Sequence, residues 1–174
     1  MQESGAFVGV EIRDYDPRWP EMYAHEAEQI TGALGDRVIR LEHVGSTSVA
    51  GLAAKPVIDI VLEVDDSGDE AAYSSDLEAA GYSLLIREPD WHAHRMFKGW
   101  DPKVNLHVFS DGCSETARMV RFRDWLRANT ADRELYEHCK RELAARDWQH
   151  VQQYADAKTD VVGQIMSRAG LPPD

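Results

Sequence analysis

The stretch that most constrains this chain is Pro56-Val-Ile-Asp-Ile-Val-Leu-Glu-Val64. An almost continuously apolar, β-branched run of this length reads as a strand buried on both faces, which demands a layer of structure on either side of its sheet. Asp59 interrupts the run. A carboxylate among apolar neighbours is costly unless it is hydrogen-bonded, paired or bound to a metal. Strand alternation places Asp59, Val61 and Glu63 on one face, so one side of the buried strand carries acid.

The elements around this strand set the fold class. Residues 7–12 alternate and read as a short strand. Trp19, Met22, Tyr23, Ala27, Ile30 and Leu34 recur at helical spacing, predicting an amphipathic helix over 19–34 with Gly35 as its stop. Residues 38–44 read as a strand, Gly45-Ser46-Thr47-Ser48 as a tight turn, and 65–69 as a solvated loop before a helix that runs to about Ala80 and is capped by Gly81. Strands follow near 82–87, 94–99 and 103–109, the last two joined as a hairpin through Gly99-Trp100-Asp101-Pro102. The remainder is helical. Met119, Phe122, Trp125 and Leu126 mark one stripe, and Leu135, Cys139 and Leu143 a second. Val151, Tyr154, Val161, Ile165 and Ala169 mark a third, ending at Gly170 with Pro172 beyond. This order predicts an α+β fold: a mixed β-sheet flanked by helices, with a helical C-terminal part. The 174 residues fit one domain, 1–174.

Composition narrows the partners. The formal net charge is −12 at pH 7. Tight binding to a nucleic-acid backbone comes from Lys and Arg displacing counterions, so duplex DNA or RNA is not the expected partner. A small nucleotide remains compatible, because a few local groups outweigh a global field. The first residues carry no basic segment followed by an apolar one, and no run approaches a membrane span, so a cytoplasmic protein is expected. Cys113 and Cys139, without CxxC spacing, read as reduced thiols.

The chemistry centres on His43-Val-Gly-Ser-Thr-Ser48. Gly45 after a strand lets backbone approach a ligand, and the hydroxyls of Ser46, Thr47 and Ser48 with successive N–H groups make an anion nest. The same residues also make an ordinary turn. The block is neither a P-loop, since Gly51-Leu-Ala-Ala-Lys55 lacks the Gly-Lys-Ser/Thr ending, nor a Gly-x-Ser-x-Gly elbow. Asp59 beside a phosphate-gripping turn is the arrangement that holds Mg²⁺ on a nucleoside triphosphate, and a structural pairing with Arg or Lys is the alternative. His92 and His94, spaced to share a strand face with His107 nearby, suit Zn²⁺ or Mn²⁺; partly exposed histidines hydrogen-bonded at a sheet edge are the plainer alternative. His107 also suits a general base. Lys55, just before the acidic strand, could reach a phosphate or be a solvated strand-start lysine, and Arg95 could clamp phosphate through two N–H groups. Tyr154 and Lys158, four apart, share a helical face.

The block from His43 to Ile60 resembles the signature of the GrpB family, a branch of the nucleotidyltransferase-like superfamily. Further blocks agree in order: Tyr15-Asp-Pro-Arg-Trp-Pro, Asn105-Leu-His-Val-Phe, Phe122-Arg-Asp-Trp-Leu-Arg and Tyr154-Ala-Asp-Ala-Lys158. The family's biochemical role is not established. The resemblance implies a nucleotidyltransferase-like mixed sheet with the Gly-Ser turn between its first two core strands. It also implies Lys158 reaching back to the site, and a coenzyme A context, since some relatives are fused to dephospho-CoA kinase. Active nucleotidyltransferases resemble Gly-Ser followed by Asp-x-Asp with a third acid on a later strand. Here the second acid position is Val61, and the third strand offers Asn105 and His107. That weighs against two-metal transfer and leaves one Mg²⁺ or Mn²⁺ on Asp59 and His107. A metal-dependent nucleotide-binding protein, or a nucleotidyltransferase acting on a small acceptor, is therefore expected. The rival is a catalytically inactive accessory module, a partner of an enzyme such as dephospho-CoA kinase.

Overall fold

In the computed structural model, residues 9–172 are described. A five-stranded sheet holds the molecule together: β1 (Arg40–Val44), β2 (Ile58–Val64), β3 (Ser83–Glu88), β4 (His94–Trp100) and β5 (Lys103–Ser110), in spatial order β1-β2-β5-β4-β3. The β2–β5 pairing is parallel and the other three are antiparallel, so the sheet is mixed, as the element order predicts.

The apolar run becomes β2, an interior strand paired with the central β5. Ile58, Ile60, Leu62 and Val64 of β2 and Val104, Leu106 and Val108 of β5 point to one side. There they pack with Trp19, Ile30 and Leu34 of α1 (Trp19–Leu34), and with Tyr73 and Leu77 at and within α2 (Ser74–Ala79). The alternate residues face the opposite side, where Val44, Val61 and Phe109 form a smaller core against Cys113, Met119 and Val120 of the α3 region, 113–128. Both faces are covered, which is why the run could not alternate with polar residues. Asp59, Asn105 and His107 share that second face by the same alternation. The register sets Asp59 beside Asn105 and Val61 beside His107.

The C-terminal helices are α3 (Ser114–Ala128), α4 (Thr130–Ala144), α5 (Val151–Ala157) and α6 (Thr159–Arg168). Leu126, Tyr136, Val161 and Ile165 join Val49 and Leu52 of the segment after the Gly-Ser turn in a third apolar cluster. Asp132 ties the group together: it takes Nε and Nη2 of Arg168 at 3.0 and 2.6 Å and Nε1 of Trp125 at 2.7 Å. Among the described residues no helix is long and apolar enough to cross a membrane.

Several expectations are corrected. Within 9–12 no strand forms; residues 7 and 8 lie outside the described residues, and the pairing here is one bridge, Arg13 with Ala54. The third stripe is two helices rather than one, broken at Lys158, and Val151 is exposed. On α4 the buried residues are Asp132, Tyr136 and Lys140, whereas Leu135 is exposed. The buried face is one residue away from the Leu135-Cys139-Leu143 stripe, because polar groups with partners are buried there at i, i+4 and i+8. His92 and His94 do not alternate on a strand: His92 and Ala93 sit at φ 53 and 48 in the turn that precedes β4. Helix α1 runs over the expected residues, and the β4–β5 hairpin turns between Trp100 and Lys103 as expected.

Candidate functional site

The turn after β1 begins at Gly45, whose φ of 73° favours glycine. Residues Ser46–Ser48 then form a single 3-10 turn. Arginines of α3 hold this turn in place. Arg123 donates to the His43 carbonyl at 3.0 Å and to Glu42 at 2.8 Å, and Arg127 donates to the Ser48 carbonyl at 2.7 Å. Inside the turn, the Ser48 hydroxyl donates to the Gly45 carbonyl at 2.5 Å.

A cleft of about 430 Å³ opens between this turn, the near ends of β2 and β5, and helices α4 and α5. Gly45, Ser46, Thr47, Lys55, Asp59, Asn105, His107 and Lys158 all line it, so eight of the candidate site residues converge. Asp59 is half-buried, its side chain 30% exposed, and the nearest basic side chain is His107, with Nε2 3.7 Å from Oδ1. Among the described residues no Arg or Lys neutralises this carboxylate at contact distance, which disfavours the purely structural pairing.

Three sequence candidates lie elsewhere or are consumed. His43 is buried, stacked on Tyr23 with ring centroids 4.8 Å apart, and its Nε2 meets the Thr47 hydroxyl at 2.9 Å. Burial pushes its imidazole down to about 4, so it stays neutral. It braces the turn from behind and does not line the cleft. Ser48 is buried, with its hydroxyl spent on the Gly45 carbonyl. Arg95 is buried on β4, donating to Glu70 at 2.6 Å and to the Ala93 carbonyl at 2.9 Å, away from the cleft. Thr47 lines the cleft, but its hydroxyl donates to the Val57 carbonyl at 3.2 Å.

The cleft is completed by groups that carried no motif. Lys140 of α4 is 2% exposed; its Nζ donates to Ser46 Oγ at 2.8 Å and to the Ala53 carbonyl at 2.5 Å, and lies 4.7 Å from the Tyr136 ring centroid. Burial first, and the charge of Lys158 second, push this ammonium down from 10.5 to about 7. Lys158 is pushed to about 8, again by burial first and then by Lys55. Both Lys55 and Lys158 sit over the Tyr154 ring, at 5.4 and 4.8 Å from its centroid. Tyr154 is fully buried, and among the described residues its hydroxyl has no hydrogen-bond partner. Beside the cleft, Lys98 of β4 donates to Asn105 at 2.8 Å, and burial lowers its pKa while Asp59 works in the opposite sense.

Ammonium groups crowded enough to depress one another are relieved by a polyvalent anion, and a cleft lined this way has the chemistry to take one. The acidic side of the cleft is sparse. Among the described residues no group of three or more His, Cys, Asp or Glu side chains is placed to hold a metal. Val61, at the second acid position, is buried in the core, and Asn105, at the third, is occupied by Lys98. A two-metal site does not fit these residues. One carboxylate and one imidazole do fit a single cation that brings oxygen ligands of its own, as Mg²⁺ does on phosphates.

A family model described as GrpB protein matches residues 9–168. The chain belongs to the GrpB family. Among GrpB relatives, a UPF0157 protein of Halalkalibacterium halodurans is 58% identical over 162 residues, covering 93% of this chain and 83% of that protein. The crystal structure of GrpB from Enterococcus faecalis superposes with a TM-score of 0.79 at 28% identity, covering 91% of this chain and 96% of that one. A dephospho-CoA kinase of Mycolicibacterium paratuberculosis is 31% identical over 158 residues, which cover 75% of this chain and 39% of that protein. In this GrpB chain the missed residue with the clearest sequence signal is Lys140. It stands four residues after Tyr136 and eight after Asp132, a spacing that puts all three on one helix face. Lys98 carries no such signal, since its partner Asn105 is reached only through the β4–β5 register.

Proposed function

We propose that this GrpB chain binds a phosphorylated nucleotide in the cleft together with one divalent cation. The observation that carries the reading is the convergence of Lys55, Lys140 and Lys158 on the cleft that Asp59 and the Ser46 turn also line. Phosphate oxygens would accept from the Lys158 and Lys55 ammonium groups, the Tyr154 hydroxyl and the Ser46 turn. Asp59 and His107 would hold Mg²⁺ or Mn²⁺, whose role is to neutralise phosphate charge and polarise phosphorus. For transfer to a small acceptor, the acceptor hydroxyl would attack phosphorus and pyrophosphate would leave; the proton would pass to His107 where Asp59 alone holds the cation, and to solvent where His107 is a ligand.

Calorimetric titration with nucleoside triphosphates and dephospho-CoA, with and without Mg²⁺, tests the reading. Micromolar binding is expected, weakened about tenfold in Lys158→Ala by loss of one charge-assisted hydrogen bond. Asp59→Asn should remove the Mg²⁺ dependence alone. Absence of binding by every nucleotide in the folded protein overturns the proposal.

A second reading is favoured by the filled acid positions at Val61 and Asn105: the cleft senses a nucleotide without turning it over. The relative named dephospho-CoA kinase supplies a context for such a module. Binding without pyrophosphate release for any acceptor would decide for this second reading.

A further inference from the structure

Behind the cleft, four side chains form a line across four strands. Glu88 of β3 places Oε2 2.7 Å from His94 Nδ1. His94 of β4 places Nε2 3.0 Å from His107 Nδ1. His107 of β5 then presents Nε2 to Asp59 of β2 at 3.7 Å. The two rings stack with centroids 5.3 Å apart, and Phe109 and Trp91 close around His94 at 4.9 and 5.2 Å. His94 is 4% exposed, while the Glu88 side chain is 47% exposed at the sheet edge.

Donor and acceptor capacity fixes the protons along this line. An ionised carboxylate only accepts, so Nδ1 of His94 must carry hydrogen. A neutral imidazole has one donor and one acceptor, so Nε2 of His94 then accepts, and Nδ1 of His107 must donate to it. His107 is left with a lone pair on Nε2. That lone pair looks at a second acceptor, Asp59, with no hydrogen between them.

We infer that Glu88 and His94 are positioning residues: they lock His107 in the Nδ1–H tautomer, so that its Nε2 lone pair and Asp59 together offer two acceptors to whatever enters the cleft. This rests on the nucleotide-and-cation reading of the cleft and deepens it. The occupant is a cation or a donor hydroxyl, since two acceptors at this spacing are satisfied only by a group that supplies positive charge or hydrogen. Without Glu88, His107 would relax toward the Nε2–H form that free histidine prefers, donate to Asp59, and block the cation position. The order is imposed from the sheet edge through hydrogen bonds, so no further group is needed inside the cleft to set it.

Long-range ¹H–¹⁵N correlation spectra of the histidine side chains, taken on the full chain at about pH 8, where imidazoles are neutral, read each tautomer directly. Wild type is expected to give Nδ1–H for both His94 and His107. Glu88→Ala should shift His107 toward Nε2–H, and Glu88→Gln, whose amide oxygen still accepts, should restore the wild-type pattern. Glu88 is half exposed, so these variants should fold. An Nε2–H His107 in wild type, or a His107 tautomer unmoved by Glu88→Ala, overturns the inference. The spectra need no ligand. Correct tautomers without nucleotide binding would sink the cleft reading alone, and nucleotide binding with the wrong tautomers would sink this inference alone.

Discussion

Gly45 and Asp59 are pressed together across the β1–β2 pair: a Cβ built on Gly45 would lie 2.6 Å from Asp59 Oδ2 and 3.0 Å from its Cβ. The glycine is needed twice, for its positive φ and for this approach, and the carboxylate is aimed into the cleft by the turn it touches. Gly45→Ala should cost about 1–3 kcal/mol, from left-handed strain and overpacking. Urea denaturation of Gly45→Ala, Asp59→Ala and the double variant should show a coupling between them, since removing the carboxylate relieves the closest contact. Strict additivity would mean that the turn and the acid do not press on each other.

The lysine pKa values set a pH dependence for anion binding. Lys140 near 7 and Lys158 near 8 lose charge as pH rises, so affinity for a polyphosphate should be greatest below about 7 and fall through 8. A bound anion would pull both values up, and protons should be taken up on binding at pH 8. Titration calorimetry in buffers of different ionisation enthalpy measures that uptake, and zero uptake would contradict the prediction.

Lys140 also links stability to pH. Its native pKa lies below the unfolded one, so between about 7 and 10.5 the unfolded chain binds more protons, and stability rises with pH across that window. Below about 7 the cost of burying the charge is fully present. Lys140→Met should flatten this slope in denaturation series, while weakening polyphosphate binding.

Tyr154→Phe is expected to move stability and binding in opposite directions. The buried hydroxyl has no partner among the described residues, so removing it should stabilise the free protein by about 1 kcal/mol. The same change should cut affinity for the phosphorylated ligand, by about tenfold if the hydroxyl donates to it. A thermal shift upward with binding untouched would remove Tyr154 from the receptor.

Asp132 ties α4, one wall of the cleft, to α3 and α6. Arg168 holds its carboxyl below the usual carboxylate range, with Trp125 adding a further hydrogen bond. Asp132→Ala leaves both donors without their acceptor, and about 2–3 kcal/mol of stability should be lost, measured by chemical denaturation.

The two-faced burial of 56–64, the extent of α1, the β4–β5 hairpin and the grouping of Gly45, Ser46, Lys55 and Asp59 were all legible in the residues themselves. Each depends on local chemistry: apolar periodicity, a glycine where φ must be positive, a charge that cannot be left among Ile and Val. The remaining features came from long-range packing. Whether Arg95 and His43 meet the cleft depended on Glu70 and Tyr23, partners 25 and 20 residues away that local pattern cannot choose. Lys140 became a site residue because α4 turned Asp132, Tyr136 and Lys140 inward, and a polar residue is buried when a distant partner satisfies it. Sheet order β1-β2-β5-β4-β3 brought Glu88, His94, His107 and Asp59 into one line, since register between strands is set by the packing of both sheet faces and not by any one strand's residues.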